Sequence, residues 1–142
     1  MIKGSCLCGC VTFEIKGEAT PIQKCHAERC RKATGAAYAP ELLVPKEGFE
    51  WSSGEEYITE YSAPIINSPP VYKRAFCKKC GSPVPVEIEG TEFMMLLAGI
   101  LDSDPETREF RHAFTGQKAC WHEITDVLPL HEGQPPVPEK YK

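Results

Sequence analysis

The chain has 142 residues, 42% of them apolar and 25% charged, which suits one soluble domain with a buried core. Its net charge of −4 sets up no field that would draw in nucleic acid or an anionic membrane surface. No apolar stretch follows Met1-Ile2-Lys3-Gly4, and the longest apolar run, Phe93 to Leu101, falls far short of the ~20 residues a membrane helix needs. The expectation is therefore a cytoplasmic protein without membrane contact.

Thirteen prolines and eleven glycines punctuate the chain too often for long helices. Val11, Phe13 and Ile15 alternate with Thr12, Glu14 and Lys16, the period of a half-buried strand. Gly17 to Pro21 breaks that strand. Ala27 to Ala33 leaves room for a helical turn or two, and Ala36 to Val44 is apolar but broken by Pro40. Tyr57, Thr59 and Tyr61 alternate again before a proline-rich loop, Ala63 to Pro70. Val71 to Phe76 reads as a strand running into Cys77. Val84 to Glu89 and Phe93 to Ile100, around Gly90, read as a hairpin. The expected architecture is all-β with minor short helices. A single module spans 1–134, and a Pro-rich tail covers 135–142.

Eight cysteines are too many for a chain with no export signal to be read as disulfides, so metal ligands or catalytic thiols are expected. Cys6-Leu7-Cys8-Gly9 and Cys77-Lys78-Lys79-Cys80-Gly81 are two close pairs, each followed by glycine. Zinc takes four soft donors in a tetrahedron, and each close pair supplies two from one tight turn. The glycine allows a positive φ, which turns backbone N–H groups toward the thiolates. The spacing thus predicts a structural zinc on Cys6, Cys8, Cys77 and Cys80. Its binding energy readily exceeds the slowly growing cost of closing the long intervening loop.

A second constellation, Cys25-His26-Ala27-Glu28-Arg29-Cys30-Arg31-Lys32, lies between the two pairs. Gly4-Ser5-Cys6-Leu7-Cys8-Gly9, Cys25-His26 with Cys30-Arg31-Lys32-Ala33-Thr34-Gly35, and Phe76-Cys77 with Cys80-Gly81-Ser82 together resemble the glutathione-dependent formaldehyde-activating enzyme family. Leu101-Asp102, His112 with Phe114, Lys118-Ala119 with Trp121, and Leu128-Pro129 continue the resemblance along nearly the whole chain. That family shares its zinc domain with a centromere-associated protein. The resemblance implies an Mss4-like β-tent, the structural zinc named above, and a second zinc held by a Cys-His-Cys-x-x-Cys pattern. It also implies carbon–sulfur lyase chemistry, in which glutathione and formaldehyde combine as S-hydroxymethylglutathione.

Here the middle cysteine of that pattern is Ala27, which cannot ligate. Cys25 and Cys30 remain, with His26 beside them, and a second zinc on these two thiols is expected to be weak or absent. Three outcomes stay open: His26 as a third donor, a substrate thiol completing the site, or a dead site. Cys10 reads as a small core residue and Cys120 as a packed apolar one, although either could replace the missing thiolate. Trp51 and Trp121 read as core aromatics. Arg31 is a candidate contact for a glutathione carboxylate, among cations that also offset thiolate charge. The reading is a zinc-binding, carbon–sulfur lyase-like protein acting on glutathione or another thiol adduct of a small electrophile such as formaldehyde. The rival is a zinc-stabilised binding domain that has lost its catalytic metal at Ala27. Nucleic acid is disfavoured by the acidity, and oligomeric state is not legible.

Overall fold

The computed structural model describes residues 1–63 and 72–141. Most of the expected loop from Ala63 to Pro70, together with Val71 and Lys142, lies outside them. In chain order the strands are β1 (Ile2–Ser5), β2 (Thr12–Ile15), β3 (Ile22–Cys25), β4 (Ala39–Pro45), β5 (Phe49–Ser53) and β6 (Ile58–Ser62). Then come β7 (Lys73–Cys77), β8 (Pro83–Val84), β9 (Val86–Glu87), β10 (Phe93–Leu97) and β11 (Glu109–Ala113). The single α-helix among the described residues is α1 (Glu28–Thr34), so the all-β expectation holds. No helix among them is long and apolar enough to cross a membrane.

The chain divides into two compact units, Met1–Pro21 with Glu41–Thr107, and Ile22–Pro40 with Arg108–Lys142. In the first unit β2 lies between β1 and β5, antiparallel to both, and Gly4 is the cross-strand partner of Phe13. The alternation of Val11, Phe13 and Ile15 is real burial, each 1% exposed or less. Phe13 packs against Phe49 at 5.7 Å and edge-on against Trp51 at 6.1 Å, an aromatic triangle closed by Phe49 and Trp51 at 4.8 Å. Gly4 has no side chain because the Phe13 ring fills the space a Cβ would need.

Elsewhere in this unit β7 sits between β6 and β8, and residues 41–45 of β4 pair with β10, which also pairs with β9. The expected hairpin is shorter than its apolar run. Pro85, buried and without an N–H, separates β8 from β9, so Val84 joins β7 while Val86 and Glu87 join β10. Ala98–Ile100 leaves the ladder as a 3-10 turn. Tyr61 lies on β6 but is 59% exposed, so that strand's alternation faces solvent. A core of Cys6, Val11, Ala75, Cys77, Val84 and Val86, with Trp51 and Tyr57 against it, backs the paired cysteines.

The second unit is built on a parallel pair, β3 with β11, in which Lys24 stands opposite His112 and Cys25 opposite Ala113. The ladder runs on as the His26 amide donates to the Ala113 carbonyl at 2.9 Å. The chain then turns into α1. No side chain of its own caps that helix; instead the Glu28 amide donates to Gln117 Oε1 at 2.9 Å. Gly35, at φ +67°, closes the helix with its amide on the Arg31 carbonyl. The C-terminal segment runs along β11, where the His112 amide donates to the Pro129 carbonyl and the His131 amide to the His112 carbonyl. Pro135 is buried, and Arg111 Nη1 donates to the Pro136 carbonyl at 2.8 Å.

Candidate functional site

The two cysteine pairs sit on matching turns in the first unit. The Gly9 amide donates to the Cys6 carbonyl at 3.0 Å and the Gly81 amide to the Cys77 carbonyl at 2.7 Å. Gly9 has φ +77° and Gly81 φ +76°, the left-handed backbone expected after each pair. β1 delivers Cys6, β7 delivers Cys77, and the turns return Cys8 and Cys80 toward them. Ser5 Oγ donates to Asp102 Oδ2 at 2.7 Å, which anchors the residue just before Cys6.

The four Sγ atoms lie within 4.8 Å of one another, with Cys6 3.5 Å from Cys8 and Cys8 3.9 Å from Cys77. Four sulfurs around one zinc at 2.3 Å stand about 3.8 Å apart, so this cluster has the dimensions and donor type of a tetrahedral zinc site. Backbone and hydroxyl donors surround it. The Val11 amide donates to Cys6 Sγ at 3.3 Å, and Ser82 Oγ lies 3.4 Å from Cys80 Sγ while accepting the Leu7 amide at 2.8 Å.

The Ser82 hydroxyl and then its amide hold the Cys80 thiol down to about 5. For Cys8 the Cys10 amide favours the thiolate, but desolvation and the neighbouring sulfurs outweigh it and push the thiol up to about 12. Sulfurs this close cannot all ionise without a cation among them. Lys79 and Lys78 lie over the Tyr57 ring at 4.2 and 5.9 Å, and Cys10 and Cys8 are among the groups that raise the Lys79 ammonium.

The second unit holds the other candidates. Cys25 ends β3 and Cys30 lies in the first turns of α1. Both are buried, with their Sγ atoms 2.9 Å apart. That is closer than two thiolates sharing a zinc, and Ala27, 3% exposed, supplies no donor. His26 is wholly buried but belongs to no cluster of metal donors among the described residues. Its Nε2 faces His112 Nδ1 at 2.8 Å instead. Arg31 is half-buried on α1, and its Nε is sealed from solvent with no hydrogen-bond partner among the described residues. Cys120 is exposed and Cys10 partly buried, and neither joins a donor cluster among the described residues. Trp51 packs in the core as expected, whereas Trp121 is 71% exposed and is not a core aromatic.

Lys24 and Asp126 escape a reading of the sequence. His112 Nε2 lies 2.9 Å from Asp126 Oδ1, and Lys24 Nζ lies 2.9 Å from Asp126 Oδ2. Burial, with His112, His122, Lys118 and Lys24 nearby, pushes His26 down to about 4. Hydrogen bonds from His112 and Lys24 hold Asp126 well below the usual carboxylate range. Nothing in the spacing of Lys24, His112 and Asp126 announces the cluster; the parallel pairing of β3 with β11 and the C-terminal segment laid along β11 assemble it.

The fold is similar to that of a Rhodobacter sphaeroides protein of known crystal structure, with a TM-score of 0.52 and 22% identity over 75% of this chain and 98% of that one. No curated protein matches the chain. Residues 1–117 match the family described as glutathione-dependent formaldehyde-activating enzyme, a span that includes all four clustered cysteines and both cysteines of the second pair. The chain belongs to the glutathione-dependent formaldehyde-activating enzyme family.

Proposed function

We propose that this protein holds a structural zinc ion on Cys6, Cys8, Cys77 and Cys80 and acts in the cytoplasm as a carbon–sulfur lyase-like enzyme. Its substrate class is glutathione, or another thiol, joined to a small electrophile such as formaldehyde. The observation that carries this reading is the family match over residues 1–117 together with four thiols at tetrahedral spacing. When bound, zinc neutralises thiolate charge and ties the two cysteine turns of the first unit together. The working groups are Cys25, Cys30 and His26, with Arg31 as a cation for a substrate carboxylate. Residues 1–134 form the functional module and 135–142 its appendage.

One observation favours a second reading, a zinc-stabilised binding module without catalysis. Ala27 stands where the family pattern has a thiolate, so Cys25 and Cys30 are what remains of its three cysteines. The test is zinc per chain, by elemental mass spectrometry with and without glutathione, alongside conversion of glutathione and formaldehyde. Turnover, or a second zinc gained only with glutathione, supports the enzyme. One zinc under both conditions with no turnover establishes the binding module instead.

A further inference from the structure

Three side chains of the second unit form a line from its surface to a sealed end: Asp126, His112 and His26. The Asp126 carboxylate accepts hydrogen bonds from Lys24 Nζ at 2.9 Å and from the Leu128 amide at 3.0 Å. An ionised carboxylate only accepts, so His112 Nε2, 2.9 and 3.1 Å from its two oxygens, carries a proton. A neutral His112 then offers Nδ1 as an acceptor, and His26 Nε2, 2.8 Å away, donates to it. His26 Nδ1 is left as a bare lone pair, buried and without a partner among the described residues. A doubly protonated His112 would reverse the line and strand a buried N–H on His26, the rarer and costlier defect. The Tyr38 and His122 rings flank His26 at 5.5 and 5.8 Å.

We infer that Asp126 is a positioning residue that fixes this tautomer chain, and that His26 Nδ1 is the acceptor for the S–H or O–H proton of the bound thiol or its adduct. The inference rests on the function proposed above. Addition of a thiol to formaldehyde forms a C–S bond, opens the C=O π bond and moves one proton from sulfur to the new hydroxyl oxygen. No electrons are gained or lost. His26 Nδ1 takes that proton while its Nε2 proton passes to His112 Nδ1. The positive charge then rests on His112 against the Asp126 carboxylate, and the reverse transfer delivers a proton to oxygen. Asp126 and Leu128 lie beyond the residues matched to the family, so this end of the line belongs to the chain's own C-terminal segment.

The test uses the zinc-loaded full chain and compares wild type with Asp126→Asn and Asp126→Glu. Two-bond proton–nitrogen imidazole spectra read the tautomers, and conversion of glutathione and formaldehyde is followed against pH. In wild type, His26 is expected to carry its proton on Nε2, and added glutathione to move the Nδ1 resonance. Asp126→Asn is expected to lose that tautomer preference and to lower kcat roughly 100-fold with KM little changed, and Asp126→Glu to restore both. Wild-type turnover with the proton on His26 Nδ1, or Asp126→Asn with unaltered tautomers and rate, overturns the relay and leaves the enzyme reading standing. The expected tautomers with no turnover and no response to glutathione overturn the enzyme reading, and with it the thiol as donor to His26.

Discussion

The Ser82 hydroxyl accepts the Leu7 amide at 2.8 Å and lies 3.4 Å from Cys80 Sγ, so one side chain spans both cysteine turns. The Cys80 thiol donates to that hydroxyl, and once Cys80 is a thiolate, the form its partners favour, the Ser82 O–H is the group able to donate back. Ser82→Ala removes that partner of Cys80 and leaves the Leu7 amide without its acceptor. The expected outcome is a rise of the Cys80 thiol above about 5 and metal affinity roughly 10- to 100-fold weaker. Competition against a chromogenic chelator measures it, and unchanged affinity would remove Ser82 from the site.

Cys77 is wholly buried at the end of β7 and belongs to the core that Cys6, Val11 and Ala75 also form. Cys77→Ser is expected to abolish the bound zinc and, with it, the cooperative unfolding of the first unit. Metal content and a thermal melt read this together. A Cys77→Ser protein that keeps a full zinc complement would contradict the four-cysteine site.

Ala27→Cys restores the missing thiol beside Cys25 and Cys30. It is expected to raise zinc by about one ion per chain, by restoring the third thiolate of the pattern. Elemental analysis decides it: no added metal would mean that Ala27 is not what limits the second site.

Gly4 faces Phe13 across the β1–β2 ladder, and the Phe13 ring occupies the volume of a Cβ. Gly4→Ala forces a buried ring off its position. The expected loss is about 1–3 kcal/mol of stability, seen as a lower denaturant midpoint at unchanged slope. A neutral substitution would show that the ring moves at no cost.

The second unit should lose stability on acidification. His26 is held at about 4 against its ordinary 6.5, so between those values the unfolded chain binds more protons than the folded one. Its contribution is complete above about 6.5 and lost as pH falls toward 4. Asp126, also depressed, contributes above its ordinary 3.8 and loses that contribution only at lower pH. His26→Asn should therefore show a shallower fall in urea midpoint between pH 7 and 5 than wild type. Parallel falls in the two proteins would count against a neutral buried His26.

Local pattern carried the legible part of this molecule. The alternation at Val11, Phe13 and Ile15 reports a buried strand face, and Cys-x-Cys-Gly and Cys-x-x-Cys-Gly report turns whose glycines take φ near +77°. The pairing of β3 with β11 is invisible to such patterns, because two short strands far apart in the chain carry no mark of their register. Asp126 is equally illegible: it meets His112 and Lys24 through a strandless C-terminal segment laid along β11. Trp121 misled because aromatic character predicts burial on average, while this ring stands beside His122 with most of its surface in water.

The four clustered cysteines are unequally buried: Cys6 and Cys77 are enclosed, Cys80 is partly exposed and Cys8 is exposed. An ion held there would exchange from the side of Cys8 and Cys80. An incoming chelating thiol would approach from that side and meet the most exposed sulfur, that of Cys8, first, so the residence time of such an ion would depend on how readily that ligand detaches. Exchange should then quicken with chelator concentration instead of waiting for the protein to unfold. A metal that ties the two cysteine turns together would thereby stay replaceable.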